Sequence, residues 1–274
     1  MPYISLAAAD QAPPLSLHYR RFTGPEGAPA LLLLHELGGR LETWTPFAER
    51  LRERYDVYAF DQRCAGQSEH TTQPFTLWDL ADDTVRFAGA VGINGRFALM
   101  GLAMGAVTAA HVAVRHGNRL NALVLCDGTP SIDQNSSSYL LNRAGKVRTD
   151  GMRVVAQASY RNAFKGLLEQ QPGNDWGQYL ERFTSNAPIS YAMHSEALAA
   201  FSLSDGEYAR IAARTLVLTG EHDFIWPPEF GAALAARIPG AQFEAVANAA
   251  HFPPLQQPGT VAARVMSFLD RGGL

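Results

Sequence analysis

Cysteine is scarce in this chain of 274 residues, and the two present, Cys64 and Cys126, stand far apart. That excludes a cysteine metal cluster, offers no disulfide framework and fits a reducing compartment. Charge of one sign is missing too. Lys and Arg number 23 against 26 Asp and Glu, leaving a net charge of −3, so no basic field exists to hold nucleic acid. Charged residues make up only 18% and hydrophobic ones 47%, which excludes a disordered chain and supplies a sizeable core. Near the start, the run Ala30-Leu31-Leu32-Leu33-Leu34 is far short of the ~20 residues that span a bilayer and reads as a buried strand. The opening Met1-Pro2-Tyr3-Ile4-Ser5 lacks the basic-then-apolar order of a secretory signal. A cytoplasmic protein with no membrane partner is expected. His18, His70, His111, His116, His194 and His222 are scattered without His-Glu-x-x-His spacing, and no Gly-x-Gly-x-x-Gly follows a strand. No metal or other cofactor is expected, and no feature specifies an oligomeric state.

What the chain does have is alternation. Apolar strand patterns at 30–34, 55–60, 97–100, 120–126, 215–219 and 242–246 are interleaved with helical periodicity at 43–54, 77–90, 106–116, 228–237 and 260–270. That order predicts an α/β fold with a mostly parallel central sheet and helices on both faces. Residues 15–21 alternate apolar and polar as an antiparallel edge strand does. Between 129 and 208 the pattern turns polar, aromatic and helical, broken at Pro172-Gly173-Asn174. This segment is read as a helical cap inserted into a core formed by 1–128 and 209–274.

Residues 101–105, Gly101-Leu102-Ala103-Met104-Gly105, carry the most information. Gly-x-Ser-x-Gly between a strand and a helix is a nucleophile elbow. Here a methyl group stands where the hydroxyl belongs, so residue 103 cannot form an acyl intermediate.

Four loops fall where an elbow needs support. His35-Glu36-Leu37-Gly38-Gly39 follows a buried strand, and its Leu37 N–H, with that of Met104, is the candidate oxyanion hole. His251, in a loop after the last strand, is the candidate base. Asp223, in Gly220-Glu221-His222-Asp223, is the candidate acid that orients it, with Asp127 after the 120–126 strand as the alternative. Asp61 to Ser68 form a tight turn in which Asp61 and Arg63 are expected to bond loop backbone.

Together these residues resemble the α/β-hydrolase superfamily over nearly the whole chain. The chain is most similar to the branch of 3-oxoadipate enol-lactonases and C–C bond (meta-cleavage product) hydrolases. The likeness rests on compact length, on Gly101-Leu102-x-Met104-Gly105, and on Gly220-x-x-Asp223 followed by His251. Three departures stand out: Ala103 for serine, Glu36 for the glycine usual after His35, and Cys64-Ala65 for the usual Gly-His after Arg63. The resemblance implies Ser-His-Asp hydrolysis of a small ester, lactone, amide or vinylogous ketone, a carboxylate-bearing catabolic intermediate. Ala103 is then read as an inactivating substitution of the kind made to hold a ligand in place, a natural alanine being the alternative.

Substrate clues come from the cap and loops. Arg143 and Arg161 could pair with a substrate carboxylate, and Tyr160 is a further substrate-binding candidate; Lys146, Arg148 and Arg153, with Tyr139, Trp176 and Tyr179, lie in the same segment. Glu36, Trp44, Phe224 and Trp226, with Met104, are candidate pocket walls. Two rival readings keep the fold. In one, His251 and Asp223 act as a general base without a nucleophile, as in cofactor-free dioxygenases and lyases. In the other the protein binds a ligand without turnover.

Overall fold

The computed structural model of the protein describes residues 2–8, 12–165, 167 and 177–272. Its apolar runs join one sheet of eight strands: β1 (Tyr3–Leu6), β2 (Leu15–Phe22), β3 (Ala30–Leu34), β4 (Asp56–Phe60), β5 (Phe97–Leu102), β6 (Leu120–Cys126), β7 (Arg214–Gly220) and β8 (Gln242–Val246). The spatial order is β1-β2-β4-β3-β5-β6-β7-β8. β2 is antiparallel to both its neighbours, and every pair from β4 to β8 is parallel. β5 is buried along its whole length, as expected of a parallel strand covered on both faces.

Helices α1 (Thr45–Leu51), α2 (Leu77–Ala90) and α3 (Met104–His116) cover the first half of the sheet. Between β6 and β7 the described residues form only helices: α4 (Gln134–Asp150), α5 (Arg153–Ala163), α6 (Gly177–Thr184), α7 (Pro188–Ala199) and α8 (Asp205–Tyr208). The break at Pro172–Asn174 and the aromatic Trp176 lie outside the described residues. The chain ends with α9 (Pro228–Arg237), α10 (Pro253–Gln256) and α11 (Pro258–Asp270). α1 packs against α11, α2 against α3, and α4 against α7. Among the described residues no helix is long and apolar enough to cross a membrane.

The structure revises three elements. Residues 15–21 are not the sheet's edge, because Tyr3–Leu6 pairs outside them, Tyr3 opposite His18. That strand is short, and only Leu6 in it is buried, so little periodicity marks it. The helix expected over 43–54 is a 3₁₀ turn, Leu41–Trp44, followed by α1. Pro46 sits in the first turn of α1, where its missing N–H costs nothing. β5 runs to Leu102 and α3 begins at Met104, which leaves a single residue, Ala103, to make the turn. The loops after β3, β5, β6, β7 and β8 all leave from the carboxyl edge of parallel strands, where open α/β sheets bind ligands.

Candidate active site

At the β5–α3 junction Ala103 adopts φ 51°, ψ −113°, a conformation that costs a residue with a Cβ about 1–3 kcal/mol. Its surroundings hold it there. The Ala103 N–H donates to the Cys126 carbonyl at 2.8 Å, and its own carbonyl accepts from Ala106 N–H at 2.9 Å. The flanking glycines are sterically required: a Cβ on Gly105 would lie 2.1 Å from the Leu34 carbonyl oxygen, and one on Gly101 2.1 Å from that of Gly105. The turn therefore lifts residue 103 out of the sheet towards a cavity of about 430 Å³ that Ala103 lines.

His251 and Trp226 line the same cavity. His251 Nδ1 lies 2.8 Å from Asp223 Oδ2. The other oxygen of Asp223 accepts the N–H groups of Ile225 (2.8 Å) and Trp226 (3.1 Å). Burial pushes the Asp223 carboxyl up, but the charge and hydrogen bond of His251 and the bond from Asp127 outweigh it, and the net shift is down. An ionised Asp223 accepts only, so Nδ1 carries the ring proton and Nε2 is the free nitrogen. The ring is held edge-on to Trp226, at 5.6 Å and 75°.

Asp127 stands behind this pair rather than on the ring. It takes φ 46°, and its Oδ1 accepts the Gly220 N–H at 2.9 Å. Full burial and then the charge of Asp223 push its carboxyl well up, so Asp127 holds the proton and donates to Asp223. Ligand atoms of Asp127, Asp223 and His251 lie within 4.8 Å of one another. Among the described residues this is the one cluster of His, Cys, Asp or Glu close enough to surround a cation.

The loop after β3 turns at Glu36–Gly39, closed by Gly39 N–H to the Glu36 carbonyl at 2.9 Å. His35 locks it: its Nε2 accepts the Gln62 N–H (3.1 Å) and its Nδ1 faces the Glu36 carbonyl (2.9 Å). Leu37 and Met104 both line the cavity, and among the described residues neither N–H donates to a protein acceptor. The Met104 N–H opens α3, where the helix dipole favours negative charge.

Two ionisable residues, Glu36 and Arg143, line the cavity from other directions. Glu36 is buried, and Arg143 is 8% exposed. Among the described residues the Arg143 guanidinium meets only neutral oxygens: Tyr191 Oη from Nε (3.1 Å) and from one terminal nitrogen, Tyr139 Oη (3.1 Å) and Ser159 Oγ (2.5 Å). Among the described residues no carboxylate pairs with it.

The cavity gathers Glu36, Leu37, Ala103, Met104, Arg143, Phe224, Trp226 and His251. Three sequence candidates lie elsewhere. Trp44 is fully buried and packs on Phe47 at 5.6 Å, so it fills the core. Tyr160 packs on Phe164 at 5.3 Å. Arg161 is exposed at the end of α5, two positions after Ser159 and one before Asn162, which both line the cavity. Arg63 also departs from expectation, bonding the Asp83 carboxylate of α2 at 2.5 and 2.8 Å instead of loop backbone. Asp61 does bond backbone, accepting from Leu41 and Gln67 N–H. Sequence reasoning missed Tyr191, Ser159, Phe183 and Phe252 as lining residues. Phe252 directly follows the candidate His251, but the other three stand at no spacing that ties them to a candidate. Tyr139 stands at such a spacing, four positions before Arg143 on α4, since residues so spaced meet on one helix face.

A family model for the alpha/beta hydrolase fold matches residues 29–258. The chain belongs to that family. A family member, RutD of Caulobacter vibrioides, provisionally named a carbamate hydrolase, is 27% identical over 93% of this chain and 95% of its own. The enol-lactonase from Burkholderia xenovorans LB400 superposes with a TM-score of 0.88 at 30% identity, covering 98% of this chain and 100% of its own. A thermophilic esterase from Thermogutta terrifontis, in a malate-bound form, superposes with a TM-score of 0.93 at 25% identity over 99% of each chain. Members of the family are generally hydrolytic enzymes, and a small-molecule substrate is consistent with these relatives.

Proposed function

We propose that the cavity takes a small carboxylate-bearing ester, lactone, amide or vinylogous ketone, with its acid group on Arg143 and its carbonyl oxygen between the N–H groups of Leu37 and Met104. One observation carries the proposal: the His251–Asp223 bond of 2.8 Å opens onto the same cavity as an elbow still folded for a nucleophile. Arg143 supports the carboxylate, because a buried cation with no acid partner among the described residues is stabilised when a ligand supplies one. The malate held by the esterase relative and the enol-lactonase relative fit an acidic substrate. The described helices between β6 and β7 act as the cap that roofs the site.

Ala103 closes the covalent route in this chain, which is read as the serine-less form of a Ser-His-Asp hydrolase. With serine at 103, His251 Nε2 takes the hydroxyl proton as the oxygen attacks the carbonyl carbon. Asp223 stabilises the imidazolium and fixes its orientation. Each oxyanion donor contributes about 3–4 kcal/mol at the transition state. The imidazolium then gives its proton to the leaving group, and water, deprotonated by the same nitrogen, releases the acid.

Ala103→Ser tests this. The variant is expected to hydrolyse members of a panel of acidic esters, lactones, amides and vinylogous diketones, with a burst of acyl-enzyme, while the parent does not. A variant that stays inert across the panel, although folded, refutes it. A second reading, His251 as a base without a nucleophile, is favoured by the buried acid Glu36 in the same cavity. It predicts turnover by the parent that Ala103→Ser does not raise.

A further inference from the structure

Glu36 has no role in the hydrolytic scheme above, yet its setting is built. Its carboxyl folds back over its own turn, into space that exists because residue 39 is glycine: a Cβ there would lie 2.2 Å from the carboxyl carbon. Oε1 accepts the Thr43 hydroxyl at 3.0 Å. Oε2 is buried and, among the described residues, without a partner, and Glu36 is one of the residues around the cavity. Leu37, whose N–H is assigned to the carbonyl oxygen, is the next residue in the same turn.

An ionised oxygen there would repel a developing oxyanion. A neutral carboxyl would donate to it. We propose that Glu36 is protonated and is a third hydrogen-bond donor, beside Leu37 and Met104, to the carbonyl oxygen of the bound ligand. The assignment rests on the carbonyl position given under Proposed function.

The charge environment agrees. Burial pushes the Glu36 carboxyl up, against weaker opposing effects from His35, the Thr43 hydroxyl and Arg182. Tyr179 also lies close to it, and burial and then Glu36 push that phenol well up, so it stays neutral. His251 and Arg143 line the same cavity. A carboxylic acid kept neutral by an apolar site, so that it can donate to a substrate oxygen, is an established device.

The test uses the chain as it stands, because binding needs no nucleophile. An infrared difference spectrum, parent minus Glu36→Gln, is expected to show a protonated carboxyl band at neutral pH; a carboxylate band instead overturns the proposal. 2-Pentanone, a carbonyl probe without an acid group, is then titrated by NMR. Glu36→Leu is expected to weaken its binding about tenfold, the worth of one good hydrogen bond, and Glu36→Gln, which keeps an N–H donor, by less. Affinity of the parent is expected to fall as pH rises and Glu36 ionises, while that of Glu36→Gln stays flat, a readout that holds even where Glu36→Leu fails to fold. Absence of ketone binding, equal binding by parent and variants, or a flat parent profile overturns it. 4-Oxopentanoate separates the two readings: if it binds no tighter than 2-pentanone, the carboxylate site at Arg143 fails while Glu36 is judged on the ketone alone.

Discussion

Arg143→Met separates a ligand-binding cation from a structural one, because the two roles give opposite signs. Methionine is unbranched and flexible enough to occupy the guanidinium's space. The change deprives Tyr139, Tyr191 and Ser159 of donors, and each hydroxyl left unsatisfied costs about 1–3 kcal/mol. Against this, it removes a buried cation, whose desolvation costs several kcal/mol when no carboxylate compensates. The two nearly cancel, so stability is expected to change by within about 1 kcal/mol, read by urea denaturation. Ligand binding has no such cancellation. Two charge-assisted hydrogen bonds to a carboxylate contribute about 1.5–3 kcal/mol each, so malate should bind about 10²–10⁴-fold more weakly to the variant. Calorimetric titration with malate and with its neutral diamide checks this, since the diamide should lose far less. Unchanged malate affinity together with a stability loss above about 3 kcal/mol would refute the reasoning and make Arg143 a packing residue of α4.

Three further outcomes are expected. In the Ala103→Ser background, Asp223→Asn should lower initial rates about 10³–10⁴-fold by misorienting His251; a loss under tenfold would show that the imidazole needs no acid. Asp127 holds a proton when folded that the unfolded chain releases above about pH 4, so the unfolded state binds fewer protons there and this group erodes stability as pH rises towards its elevated folded value. Asp127→Asn, which tolerates the positive φ and keeps a donor for Asp223, should therefore gain on the parent between about pH 4 and pH 7, and a constant gap in urea midpoints would contradict a protonated Asp127. Ala103→Gly should raise stability by about 1 kcal/mol, since glycine takes a positive φ without Cβ strain; a thermal midpoint that falls would show the turn to be unstrained.

The sheet is legible in the sequence because burial on both faces leaves uninterrupted apolar runs, Leu31–Leu34 and Ala122–Cys126 among them, as a covered parallel strand requires. The elbow is legible for a different reason. Backbone on either side leaves no room for a Cβ at Gly101 or Gly105, so the glycine pair marks the turn whatever residue 103 is. β1 is not legible, since only one of its side chains is buried. The cavity wall is legible only in part. Composition shows that aromatics and arginines crowd the segment after β6, but not which helix face turns inward. Arg143 and Arg161 look alike in sequence, yet one meets three hydroxyls and the other meets solvent. Trp44 misleads because a large apolar residue near a site loop fits core and pocket equally well.

The turn at residue 103 keeps its geometry without a hydroxyl to present. A serine inserted there by translational error would meet a turn already in the elbow conformation. On the proposed function, a trace of such molecules gives any preparation of this protein a faint esterase background. Titration with an active-site-directed phosphonate would count them, and only activity left after that titration belongs to the alanine form.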